Sequence, residues 1–354
     1  MNSVAHTGSR ERIPARTFRA ASFLPAISGL AFLCTCLAFH ALLSAPNVPG
    51  NSPKMQFFAA HKDEFDTIFV GSSRIYSGIS PSTFDQIMAS AGSPSHAFNF
   101  GVNGMYPPEV FYVLEQILSL KPRKLKRVFV EMDDVQVTWL PDEQTSQRVL
   151  YWHDWKRTGV ILQKMLNLDV HEHWTRKLRT VRRSRGTILL HLALFAKNFS
   201  NFGRALDLAE SLVGDNQIQF GELGPKLDGY FPQAAQISGE KLADYEQELA
   251  RQQAAEIGTV ALDHYADQAY RHFAHQIRSA GATPVFVVTP IYPQRPSTFR
   301  GPSPGLLLAY NNSTLYSDLY RPEARTNEGH LNSTGAEKFT RLLAEDFLRN
   351  MRQP

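Results

Sequence analysis

"TIFVGSSRIYSGISPSTF", Thr67 to Phe84, decides how the rest of the chain is read. Its first part is a short uncharged apolar run that stops at Gly71, Ser72, Ser73 and Arg74. An apolar run of this length, bounded by turn residues, predicts a strand buried on both faces. The continuation "SPSTFDQIMASAG" predicts a helix: Ser80 is a capping residue, Pro81 falls in the first turn and Gly92 closes it. A strand, a small polar turn and a helix in succession begin an α/β fold, with Ser73 at the end of the strand. A serine there is a turn former or a nucleophile. The second role needs a base and oxyanion donors from distant segments.

The same rhythm recurs. "HAFNFGVNG" (96–104), "KRVFVEMDD" (126–134) and "ATPVFVVTP" (282–290) read as further strands, separated by the amphipathic stretches "PPEVFYVLEQILSLKP" and "HYADQAYRHFAHQIRSAG" and followed by a last helix from Ser333. Strands alternating with helices predict a three-layer α/β/α domain around a parallel sheet, here residues 64–135 and 258–354. Ligands of such sheets bind at the carboxyl ends of the strands. Between about Val135 and Ile257 the alternation fails, so 136–257 is expected to be a mostly helical insertion or cap. It holds the basic run "RKLRTVRRSRG" and the apolar "TILLHLALFA". The basic run fits a solvated helix face, and it also fits anionic headgroups or an acidic polymer.

At 354 residues and 43% hydrophobic the chain can bury a large core, and a net charge of +4 gives no reason to expect a nucleic-acid partner. Residues 1–22 form a basic segment containing Arg10, Arg12, Arg16 and Arg19. The uncharged run from Phe23 to Ala45 follows. As a helix that run covers about 34 Å, enough for a single membrane span. The arginines orient it with the remainder outside the cytoplasm, periplasmic or otherwise extracytoplasmic. Small residues at "LLSA" keep a cleaved signal peptide open as the other reading. Residues 46–63 read as a linker. Both cysteines, Cys34 and Cys36, lie inside the apolar run, so the exported body has no disulfide.

The turns after the first three strands carry Ser73 and Arg74, Asn103 and Gly104, and Asp133 and Asp134, while "NEGHLNSTG" places His330 just before the last helix. A parallel sheet gathers the three turns at one edge, and a short loop can return His330 to it. Serine and histidine together are components of acyl transfer. Arg74 suits an anionic or sugar group and equally a buried salt bridge. Asp133 and Asp134 suit substrate binding and equally a solvated strand end. His153, His171 and His173 lack regular ligand spacing, so no metal is assigned, and no cofactor motif is present.

With these residues in view, the α/β portions resemble the SGNH, or GDSL-like, hydrolases. The resemblance implies Ser73 as nucleophile, the Ser73 and Gly104 N–H groups with Asn103 as the oxyanion hole, and His330 as base. It implies two departures. Asn327 stands where the family has aspartate, and an amide does not stabilise an imidazolium; in a serine–histidine–aspartate system this change costs roughly ten-thousandfold in turnover. The carboxylates nearest in sequence, Glu328, Glu323 and Asp318, are left unranked. Asp133 and Asp134 replace an oxyanion-binding asparagine. With its anchor, the chain is similar to accessory proteins of cell-envelope polysaccharide O-acylation, of the alginate O-acetylation and teichoic-acid D-alanylation types. That implies a membrane-bound O-acyltransferase as partner and a polysaccharide as substrate. A catalytically inactive scaffold on the same fold is the other functional expectation.

Overall fold

The computed structural model describes residues 17–42, 48, 50–138, 146–166, 174–201, 220–254, 260–291 and 297–351. Helix α1 (Thr17–Leu42) is followed by α2 (Ser52–His61), strand β1 (Thr67–Gly71), a single-turn α3 (Ser73–Tyr76), α4 (Pro81–Ser90), β2 (Ala97–Gly101), α5 (Glu109–Ser119) and β3 (Arg127–Glu131). The insertion supplies α6 (Gln147–Tyr151), α7 (Trp155–Leu166), α8 (Trp174–Arg183), α9 (Arg185–Ser200) and α10 (Glu240–Ala254). After it come β4 (Val260–Ala261), α11 (His264–Ser279), β5 (Thr283–Val288), β6 (Ser297–Thr298), β7 (Leu306–Ala309), α12 (Ser317–Tyr320), β8 (Arg325–Asn327), β9 (His330–Leu331) and α13 (Ser333–Met351).

Five strands form one parallel sheet in the order β2-β1-β3-β5-β7. Side chains alternate across it as a pleated sheet requires. Ile68, Val70, Val128, Val130, Phe286 and Val288 enter a core with α5 and α11, while Phe69, Phe129, Val285 and Val287 enter the opposite core with α4 and α13. Both faces are thus covered, which is why the strands read as unbroken apolar runs. From β1 the chain goes first to β2 on one side and then to β3 on the other. The resulting crevice lies beyond the carboxyl ends of β1 and β3.

The expected linker is shorter than 46–63. Its second half is α2, packed into the body with Phe58 fully buried. Lys54 is 1% exposed and its ammonium donates to the carbonyls of Asn99, Gly101 and Gly229 at 3.0, 2.6 and 2.7 Å. Burial pushes its pKa well below the ordinary lysine value, opposed by nearby Glu222 and Asp228. These bonds, with the Asn99 N–H donating to Asp228 O, cover the open edge of β2.

The apolar run forms most of α1, with Phe23, Ile27 and Leu30 61–63% exposed. Yet among the described residues no helix is long and apolar enough to cross a membrane.

The insertion is only partly a cap. After α9 the chain returns as a strap across the body: Phe231 N–H donates to Tyr76 O, Ser333 N–H to Gln233 O, and Ile237 N–H to Arg325 O, at 3.1, 2.7 and 2.8 Å. The strap therefore ties α3 to the β8–β9 hairpin.

Candidate active site

Gly71 and Gly101 are partners in the β1–β2 register, and Val70 is opposite Val130. The turns after β1, β2 and β3 therefore leave the sheet at the same level. Ser72 ends the first of them by capping α3, its hydroxyl accepting from the Arg74 N–H at 3.2 Å. Ser73 is the first residue of α3.

His330 is delivered by the short antiparallel pair β8–β9, in which Asn327 is the register partner of His330. Ser73 Oγ lies 2.7 Å from His330 Nε2, although 257 positions separate the two residues. His330 Nδ1 is 2.9 Å from Asn327 Oδ1, and the Gly329 N–H donates to that same oxygen at 2.9 Å. The Gly329 bond has a chemical consequence. A backbone N–H can only donate, so the Asn327 atom facing it is the carbonyl oxygen, and His330 Nδ1 must carry the proton. Nε2 is then the lone pair that accepts the Ser73 hydroxyl. Asn327 thus holds the base in the tautomer needed for proton abstraction, without supplying a negative charge.

Burial lowers the His330 pKa from its ordinary value, and Arg74 lowers it further; Glu131 and, less strongly, Glu328 pull the other way. Of the three carboxylates left unranked, Asp318 pairs with Arg321 on the surface, while Glu323 and Glu328 accept from Asn332 Nδ2 and Arg325 Nη1 through their backbone carbonyls. Glu131, at the end of β3, is the carboxylate that acts most strongly on the histidine.

Glu131 was not singled out from the sequence, yet it organises the site. It is 3% exposed and accepts from Ser72 N–H at 2.6 Å, Arg74 Nε at 2.6 Å and Thr289 Oγ1 at 3.0 Å. A Cβ at Gly71 would lie 2.6 Å from the Glu131 side chain, so glycine is what lets the carboxylate reach the turn. The signal was available in "VFVEMDD": a carboxylate ending a fully buried strand must have a partner.

Arg74 donates to Glu131 and, through Nη2, to Asp133 at 2.7 Å. Burial works to lower its pKa, but the two carboxylates outweigh burial and raise it. The guanidinium is thus engaged in a partly buried ion triad. Asp133 does not face the oxyanion position as a lone charge, because Arg74 neutralises it. Asp134 points elsewhere: its carboxylate accepts from the Asp263 N–H at 2.8 Å, at the start of α11. Burial raises the Asp134 pKa, partly offset by that hydrogen bond.

Gly104 has φ +65°, a left-handed conformation that favours glycine. Among the described residues the Ser73 and Gly104 N–H groups have no hydrogen-bond acceptor, so neither is committed within the fold. Asn103 is exposed, and its carbonyl accepts from the Arg148 guanidinium, which also pairs with buried Glu109 at 2.7 Å. Arg148 and Glu109 steady the turn and carried no sequence signal of their own.

His153 lies away from this site, fully buried against His191, with 2.9 Å between Nε2 and Nδ1. His171 and His173 fall outside the described residues. The site as a whole offers a hydroxyl on a neutral imidazole, a fixed tautomer and two free backbone donors: the parts of an acyl-transfer centre lacking only a carboxylate behind the base. No family model matches the chain, and no curated protein matches it.

Proposed function

We propose that this chain is an SGNH-like serine acyltransferase or esterase acting on acyl groups, in the simplest case acetyl, of an exported polysaccharide, with its body held outside the cytoplasm at the inner membrane and a membrane-bound O-acyltransferase as donor partner. The 2.7 Å contact between Ser73 Oγ and His330 Nε2 carries the catalytic part of this reading. His330 takes the Ser73 proton as Oγ attacks the acyl carbonyl, and the Ser73 and Gly104 N–H groups receive the oxyanion. Collapse breaks the bond to the leaving group, which departs with the proton from His330, and leaves acyl-Ser73. An acceptor hydroxyl then gives its proton to His330 and attacks the acyl carbonyl, and the acyl–Oγ bond breaks as His330 returns the proton to Ser73. A sugar acceptor makes the protein a transferase, water an esterase.

The detergent-solubilised full chain, treated with a fluorophosphonate, tests this. Labelling of the wild type at Ser73, its loss in Ser73→Ala and a slowing of about 100-fold or more in His330→Ala are expected. Acetyl release from an aryl acetate, with and without an oligosaccharide, then separates the two acceptors. Asn327 in place of a carboxylate favours a second reading, an inactive scaffold. An unlabelled Ser73, under conditions that label a control esterase, establishes it in place of the first.

A further inference from the structure

Helices α8 and α9 pack against one another and share an unusual composition. From Trp174 to Ser200 there is no acidic residue. Arg179, Arg182, Arg183 and Arg185 are exposed, and among the described residues none of them pairs with a carboxylate. A solvated cationic helix normally gains such partners at i±3 or i±4. Between the arginines sit Leu178 and Val181, 60% and 38% exposed, and on α9 Leu189 and Leu192 are 53% and 42% exposed. The inward face of α9 is satisfied separately, with His191 and Leu194 buried.

The exposed apolar surface continues onto α1, which packs against α9; Asn201 Nδ2 donates to Cys36 O at 3.4 Å, and Cys36 is buried. Cationic and apolar side chains interleaved on helices is the chemistry of a bilayer interface, where leucines enter the acyl boundary and arginines meet phosphate. A soluble polyanion would satisfy the arginines alone and leave Leu178, Val181, Leu189 and Leu192 in water.

We infer that α8 and α9 are a second, interfacial contact with an anionic phospholipid bilayer, lying beside α1 and acting independently of whether α1 crosses the membrane. It also stands apart from the acyl-transfer reading, since none of its residues touches Ser73 or His330.

Hydrogen exchange tests it on the full chain, incorporated into nanodiscs of phosphatidylcholine alone or of phosphatidylcholine with phosphatidylglycerol. Amides of 174–200 should exchange at least about tenfold more slowly on the anionic discs, and the difference should fade at high salt. The combined Arg179→Glu, Arg182→Glu and Arg183→Glu variant should lose the protection. Leu178→Ser with Val181→Ser, which keeps every charge, should reduce it, while exchange of the central strands in both variants reports that the body is still folded. Equal exchange on the two discs, failure to associate with anionic discs, or protection by soluble polyuronate in place of anionic lipid overturns the inference.

Discussion

Asn327 is the residue on which the catalytic power of the site turns. Its Oδ1, fixed by the Gly329 N–H, keeps the proton on His330 Nδ1, so the tautomer loss that follows aspartate-to-asparagine replacement in other triads does not apply. What is missing is charge behind the imidazolium. Asn327→Asp should therefore raise kcat/KM by about tenfold or more on an aryl ester. The pH profile gives a second check. Because burial and Arg74 depress the His330 pKa, the wild-type acid limb should lie below the ordinary histidine range, and the added carboxylate should move it upward. An unchanged limb means that the new carboxylate does not reach the ring. Ser73, His330 and Asn327 were legible in the sequence because each sits in a short motif next to a strand or helix end. The Gly329 contribution was not, since it is a backbone N–H whose direction only the β8–β9 pairing sets.

At the scale of elements, the carboxyl end of β3 is the keystone. Glu131 joins the Ser72 amide, Arg74 and Thr289, so one side chain ties β1, α3 and β5 together. Removing it leaves the buried Ser72 N–H and Thr289 hydroxyl without their acceptor and breaks one of the two ion pairs of Arg74, which keeps Asp133. Glu131→Ala should cost about 3–5 kcal/mol in urea unfolding. Glu131→Gln, which keeps an acceptor for the amide, should cost less, and both should slow fluorophosphonate labelling by disturbing the start of α3. A Glu131→Ala protein as stable as wild type would show that the triad contributes no net stability. β1, β2, β3 and β5 were readable because burial on both faces leaves mostly apolar side chains. β7 was not: it has four residues, lies at an edge with three of them only partly buried, and follows the proline- and glycine-rich "RGPSPG". The strap after α9 was hidden for a different reason. Its order comes from backbone bonds to other segments, and these leave no periodic trace.

Across the whole molecule, acid should be destabilising, and the buried His153–His191 pair gives the reason. Burial lowers the pKa of both rings, that of His153 to about 3. The unfolded chain binds protons below about pH 6.5, and the folded chain resists doing so. Stability contributed by the pair is therefore complete above that pH and is lost as pH falls from about 6.5 towards about 3. Thermal midpoints at neutral and mildly acid pH should show a drop that is smaller in His153→Gln. The opposite slope would have its own meaning: two neutral rings hold two N–H groups, both aimed at the carbonyls of Val149 and Val137, so a shared third proton would be needed to bridge the rings.

The segment bonded to Tyr76, to Ser333 and to Arg325 behaves as a caliper whose jaws are the nucleophile's helix and the base's hairpin. Because it is bonded to both, a displacement of it acts on the two reacting groups together rather than on one alone. Turnover in this protein should then tolerate drift of the outer helices far better than a single break in that short run of chain.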